Sequence, residues 1–171
     1  MKRNTMRESI SDESLLKKPF VLFVCTHNSA RSQMAEGYFR ARYSQMAEVG
    51  SAGTEIHAVH PLAVSVMAEI GIDISDHRSK LIGEFFDKKP DFVITVCDTS
   101  QKACPFVPGA GKVIHAGYTD PSSCNGTPSE CQEVFRMVRD GIITWIDHAF
   151  VPDHLRQSLQ SSLTHRLRQA K

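Results

Sequence analysis

Two short apolar runs rich in β-formers, FVLFVC at Phe20–Cys25 and DFVITVC at Asp91–Cys97, most constrain what this chain can fold into. Neither alternates apolar with polar residues, so each reads as a strand buried on both faces, as strands of parallel sheets are. Helical patterns separate such strands. Met34, Ala35, Tyr38, Phe39 and Arg42 recur at helical spacing behind a start near Ser29 to Ser32. Ala47 to Ser51 predicts a second strand before an Ala52-Gly53 turn, and Pro61 opens a helix whose apolar face is Leu62, Val66, Met67 and Ile70, ended by Gly71. Ser79 to Phe86 predicts another helix, burying Leu81, Ile82, Phe85 and Phe86. Lys112 to His115 predicts a short strand. Thr127-Pro128-Ser129-Glu130 combines an N-cap, a proline at the first helical position and a capping-box glutamate, so it opens a long last helix reaching about Pro152. The alternation predicts an α/β fold with four parallel strands.

At 171 residues, 41% of them hydrophobic, the chain is long enough for one well-buried core and too short for two. The predicted domain spans residues 19–152, between a polar N-terminal tail at 1–18 and a tail or helix extension at 153–171. A net charge of +1, with no basic run interleaved with aromatics, excludes a nucleic-acid binder relying on a broad basic face. The longest apolar runs are too short to span a membrane, and the N-terminus lacks the continuous apolar stretch of a secretory signal. Five cysteines, an odd number in a chain that needs no staples, fit functional thiols in a reducing cytoplasm better than a disulfide framework.

The chemistry concentrates where the first strand hands over to the first helix. Cys25 lies at the carboxyl end of a parallel strand, the favoured place for a site in an open α/β sheet. Successive backbone N–H groups of Thr26, His27, Asn28, Ser29 and Ala30, with the helix N-terminus behind them, can form a nest for a tetrahedral oxyanion. Arg31 adds a planar, permanently charged fork that binds two oxygens at once, and the same field favours thiolate over thiol at Cys25. An anion cradle that holds a thiolate is a nucleophilic site. A nucleotide-binding loop is excluded, because no Gly-Lys-Ser/Thr follows.

The segment VLFVCTHNSARSQMAEG resembles the active-site loop of the low-molecular-weight protein tyrosine phosphatase fold, shared by those phosphatases and by thioredoxin-coupled arsenate reductases. The tail Ser32 to Gly37 is more similar to the reductases. Two positions depart from the pattern: many members carry glycine where His27 stands, and many reductases have cysteine where Ala30 stands. The resemblance implies a three-layer αβα sandwich, with Ser32 completing the oxyanion loop and Asn28, Ser32 and Ser51 supporting it from behind. It also implies that Asp120, in HAGYTDPS, is the general acid. Phosphatases of this fold follow that Asp-Pro with tyrosines that grip aryl phosphate; here Ser122, Ser123 and Cys124 follow.

A reductase must draw two electrons from thiols, which a phosphatase need not. In VITVCDTSQKACPFVPG, Cys97 ends a buried strand and Cys104 follows seven positions later, a spacing similar to the redox segment of the thioredoxin-coupled reductases. The implied reaction begins with attack of Cys25 on arsenate. Cys97 resolves the adduct, the disulfide passes to Cys104, and thioredoxin or a small thiol regenerates the enzyme. A phosphomonoesterase is the alternative, and a zinc- or arsenic-binding sensor a remoter one.

No cofactor is expected beyond the redox-active cysteines. Some relatives bind potassium near the segment Asp76-His77-Arg78-Ser79-Lys80, where Arg78 or Lys80 can supply the cation's charge instead. Cys124 and Cys131 are expected to be helix-flanking thiols without a catalytic part; a four-thiolate zinc site is their alternative reading, disfavoured by spacing. His57 and His60 are expected in a turn, for want of nearby carboxylates, and His115 at a strand end. The partners expected are arsenate and thioredoxin, with no nucleic acid and no membrane, and the chain is expected to be a monomer.

Overall fold

A computed structural model describes residues 18–98 and 106–150. Within them, strand β1 (Phe20–Cys25) leads to helix α1 (Arg31–Tyr43), strand β2 (Glu48–Gly53) and helix α2 (Pro61–Ala68). A 3₁₀ segment (Ile82–Lys88), β3 (Phe92–Thr95), β4 (Lys112–His115), a 3₁₀ turn (Pro121–Ser123) and α3 (Pro128–Phe150) complete the order. The four strands form one parallel sheet in the order β2-β1-β3-β4, as the alternation of elements predicts. Cys104, and both predicted tails apart from Lys18, lie outside the described residues.

The two apolar strands are central, which explains their composition. Along β1, Val21, Phe23 and Cys25 face one core, whereas Phe20, Leu22 and Val24 face another, so the strand is buried on both faces. The first core is closed by α1, α2 and α3 through Met34, Phe39, Val66, Met67, Phe135 and Ile142. The second is thinner. Phe85 of the 3₁₀ segment and Val107 cover it, so among the described residues the outer layer of the sandwich on that side is a 3₁₀ segment rather than an α-helix.

Four boundaries differ from expectation for local reasons. The second strand runs on through Ala52 and Gly53, which pair with Val24 and Cys25 instead of turning. This requires glycine: a Cβ on residue 53 would lie 2.6 Å from the Thr26 carbonyl oxygen and 2.8 Å from the Asn28 nitrogen. α2 stops at Ala68 because Gly71 takes a φ of +76° and Ile72 N–H turns back to the Met67 carbonyl at 3.0 Å, leaving Ile70 exposed. The helix expected over Ser79–Phe86 tightens to 3₁₀ geometry. Glu84 accepts from the Leu81 N–H at 3.0 Å and Lys89 ends the segment at a φ of +45°, so Phe85 is buried while Leu81 and Phe86 stay exposed. β3 is trimmed to Phe92–Thr95, the length over which β4 offers partners.

The last helix starts as its sequence demands. Thr127 N–H donates to Glu130 Oε2 at 2.7 Å, and Glu130 N–H donates back to Thr127 Oγ1 at 3.3 Å, satisfying two orphan donors reciprocally.

Candidate active site

The loop between β1 and α1 is shaped by one residue in an unusual conformation. Asn28 has a φ of +48°, in the left-handed region that asparagine tolerates better than most side chains, and it is fully buried. The carbonyls of its neighbours are tied to the next crossover: Glu55 N–H donates to Thr26 O at 2.9 Å, His57 N–H to His27 O at 3.2 Å and His60 N–H to Ser29 O at 2.8 Å. Helix α1 then begins at Arg31 with no side chain capping its N-terminus and no acidic residue in its first turn. That leaves the positive end of the helix dipole uncompensated by any acid of its own first turn, facing the loop.

Asn28, Ser32 and Ser51 come together beside Cys25. Asn28 Oδ1 accepts from Lys80 N–H at 2.8 Å and from Gln33 Nε2 at 3.0 Å, which fixes the direction of its amide. Its Nδ2 donates to Ser32 Oγ and to Ser51 Oγ, both at 2.8 Å. Ser51 spends its own proton on the Glu36 carboxylate. The Ser32 hydroxyl, already accepting from Asn28, therefore has its proton to give to Cys25 Sγ, 2.9 Å away.

Glu36, on the inner side of α1, anchors this chain of bonds. Burial alone would raise its carboxyl, but the Ser51 hydrogen bond and the charges of Lys80 and Arg40 outweigh burial and hold it below the usual carboxylate range. Lys80 Nζ lies 3.1 Å from Glu36 Oε2. Arg78, the other cation named for this position, instead pairs with Glu84 at 2.7 Å on the surface. Because the folded state lowers the Glu36 pKa, ionised Glu36 contributes stability above the ordinary value of 4.5 that is lost as pH falls through that range and below. Urea titrations should accordingly show wild type well ahead of Glu36→Gln at neutral pH, with the gap narrowing in acid. A gap independent of pH would contradict this.

Arg31 and Asp120 face each other across the mouth of the loop. Arg31 is buried; its NH2 sits 2.9 Å from Asp120 Oδ2, its NH1 donates to the Tyr118 carbonyl at 2.9 Å, and its Nε–H is a buried donor with no protein partner among the described residues. Asp120 is held at the start of its 3₁₀ turn by the Ser122 N–H at 3.1 Å. His60 caps α2 by accepting from Leu62 N–H through Nδ1 at 3.1 Å and stacks on Phe135, and burial pushes its pKa down against the pull of Asp120. It is a neutral capping residue, consistent with the turn expected there.

Cys25 and Cys97 are both buried thiols at the carboxyl end of adjacent strands. The link between them is direct: Val96 N–H donates to Val24 O at 2.8 Å, so the segment carrying Cys97 leaves β3 alongside the end of β1. His115 pairs with Thr95 Oγ1 at 2.8 Å, as a strand-end residue should.

The chain that carries this site has relatives of known fold. The low molecular weight phosphotyrosine protein phosphatase family matches residues 20–146. The chain belongs to that family. Among its curated relatives, an arsenate reductase of Shouchella clausii is 45% identical over 127 residues, covering 74% of this chain and 91% of that protein. A solved arsenate reductase in a phosphate-binding state superposes with a TM-score of 0.63 at 32% identity, over 77% of this chain and 95% of the other. The thioredoxin-dependent arsenate reductase of Corynebacterium glutamicum gives a TM-score of 0.54 at 28% identity, over 86% and 64%.

Two expectations are corrected within this phosphatase-family domain. Cys124 and Cys131 are not free thiols: they form a disulfide, with Cα atoms 5.5 Å apart, tying the 3₁₀ turn after Asp120 to the first turn of α3. Paired with each other, they have no thiolates to offer zinc. His57, expected in a turn without carboxylates, instead lies with His27 beside Glu55. Sequence reading also passed over Gln33 and Glu36 as parts of the support. Their residue types carry no signal by themselves, since only the packing shows a helix buried almost all round over its first two turns.

Proposed function

We propose that this protein reduces arsenate to arsenite, with Cys25 as nucleophile, Cys97 and Cys104 as a disulfide relay and thioredoxin as reductant, acting as a cytoplasmic monomer. The observation that carries this reading is the second buried thiol, Cys97, on the strand segment bonded to the end of β1, in a chain whose relatives are arsenate reductases. That no helix among the described residues is long and apolar enough to cross a membrane is compatible with it.

Arsenate seats on the N–H groups of the loop from Thr26 to Ser32 and on the Arg31 fork, whose Nε–H is available to it. The Cys25 thiolate, 2.9 Å from the Ser32 hydroxyl, attacks arsenic while Asp120, held beside the same fork, gives a proton to the departing oxygen, which leaves as water. Arsenic is still pentavalent in this adduct. Cys97 thiolate then attacks Cys25 Sγ; the new S–S bond forms as the S–As bond breaks, and its electron pair leaves with arsenic as trivalent arsenite. Cys104 displaces Cys25 from Cys97 by thiol exchange, and the dithiol of thioredoxin reduces the Cys97–Cys104 disulfide.

A phosphomonoesterase is the second reading, because the oxyanion cradle does not distinguish phosphate from arsenate by shape. The residues after Asp120 speak against it: Pro121, Ser122 and Ser123 form a 3₁₀ turn with no aromatic ring to hold an aryl group. Parallel assays of thioredoxin-dependent arsenate reduction and p-nitrophenyl phosphate hydrolysis on one preparation decide between them. Sustained reduction with at most slow hydrolysis is expected; hydrolysis without reduction would overturn the proposal.

Potassium has no evident place in this support. Lys80 already puts an ammonium on the Glu36 carboxylate next to Ser51 and Asn28, so a monovalent cation would have to compete with a tethered charge. Exchanging potassium for sodium at constant ionic strength should change turnover by less than about twofold, a difference of under about 0.5 kcal/mol in barrier.

A further inference from the structure

The rim of the catalytic loop carries three groups that the reaction does not use. His27 Nε2 lies 3.3 Å from Glu55 Oε2, and His57 Nε2 lies 4.0 Å from the same oxygen. The two imidazoles are stacked, with ring centroids 4.2 Å apart and an interplanar angle of 20°. One donor atom from each of the three residues falls within 4.8 Å of the others.

The backbone builds this arrangement. Glu55 N–H is bonded to Thr26 O and His57 N–H to His27 O, so the segment after β2 runs alongside the catalytic loop at the two positions where the ligands stand. Gly53 allows the approach, since any Cβ there would strike the Thr26 and Glu55 carbonyl oxygens. The residues' spacing is therefore set by the main chain, and only side-chain rotation remains to be adjusted.

We propose that His27, Glu55 and His57 form a binding site for a divalent d-block cation such as Zn²⁺. Two imidazole nitrogens and one carboxylate oxygen are a donor set that borderline metals accept, leaving a position open to solvent or an anion. Ligand bonds of about 2.0 to 2.2 Å place tetrahedral donors about 3.4 Å apart, so the cluster, within 4.8 Å at its widest, needs to contract by up to about 1.4 Å. Glu55 and His57 are exposed and can turn to do so. Hard cations are disfavoured, because magnesium and calcium prefer oxygen and only one of the three ligands supplies it. The bound cation places positive charge on the rim of the loop that carries Cys25, two residues from the nucleophile.

The test is titration of the full reduced chain with Co²⁺, followed by visible absorption and by Zn²⁺ displacement, for wild type, His57→Ala and Glu55→Gln. Cobalt separates this site from the cysteines, because thiolate ligation adds sulfur-to-metal charge-transfer bands that imidazole and carboxylate do not give. The expected result is one zinc-displaceable Co²⁺ per chain with ligand-field bands alone, bound at least tenfold more weakly by both variants. Circular dichroism should show both variants folded as wild type. A loss smaller than tenfold in either variant, or charge-transfer bands accounting for all the bound cobalt, would overturn the proposal.

Discussion

Cys97→Ala should lose arsenite production to below about one hundredth of the wild-type rate while still binding arsenate, because without a resolving thiol the Cys25 adduct has no source of its two electrons. Cys104→Ser should fail differently: about one arsenite per enzyme appears in a burst, and turnover then stops with Cys25 held in a disulfide to Cys97. Quenched-flow arsenite measurement and mass spectrometry of the trapped disulfide distinguish the two. Multiple turnover by Cys104→Ser with thioredoxin would break the relay, and Cys97→Ala running at the wild-type rate would end the reductase reading altogether. The buried setting of Cys97 makes alanine the better choice for that position, since it leaves no hydroxyl to satisfy.

Asn28→Ala should be among the most damaging changes that touch neither a reacting group nor the arginine. Its side chain accepts from Lys80 N–H and Gln33 Nε2 and donates to Ser32 and Ser51, all with the residue fully buried. Leaving buried partners unmet costs roughly 1 to 3 kcal/mol each, and alanine at a φ of +48° adds strain of about 1 kcal/mol. A net loss of about 3 to 5 kcal/mol in urea unfolding is expected, allowing for relaxation of the partners. Asn28→Gly separates the contributions, because glycine accepts the backbone geometry but leaves the same partners orphaned. Its stability should exceed that of the alanine variant by about 1 kcal/mol, while turnover in both falls by about 10²-fold, the usual penalty for a misplaced reactive group. Equal stability of the two variants would show that backbone strain is not part of the cost.

The polar cluster behind Cys25 shows how unevenly a site is written into a chain. The supporting roles of Asn28, Ser32 and Ser51 all followed from family resemblance, and nothing in the local pattern sets these residues apart from ordinary cap and turn residues. Glu36 and Gln33 were not singled out, because an acid and an amide in a helix read as its solvent face until the packing is known. Here that face is inside: Gln33 is fully buried and reaches Asn28 and the Arg78 carbonyl, while Glu36 receives Ser51, Lys80 and Arg40. The 3₁₀ segment over Ile82–Lys88 was mistaken for a helix for a related reason. Its apolar residues suit either period, and the choice fell to the Glu84 bond to Leu81 and the left-handed Lys89.

The disulfide and the histidine cluster were beyond reach of spacing arguments. Cys124 and Cys131 straddle a helix start, so only the chain's actual path brings their Cα atoms to 5.5 Å. His27 and Glu55 belong to different crossovers, brought side by side by hydrogen bonds between loops that have no hydrophobic period to announce them. What the sequence by itself determined is the parallel sheet and the place of the thiol: long apolar strands must be buried on both faces, and a nucleophile at the end of one must meet the helix that follows. What only the tertiary structure decided is which polar groups meet. Several of those contacts join residues more than 20 positions apart through directional bonds, as from Asn28 to Ser51 and from Glu36 to Lys80, and direction in space is set by packing rather than by order along the chain.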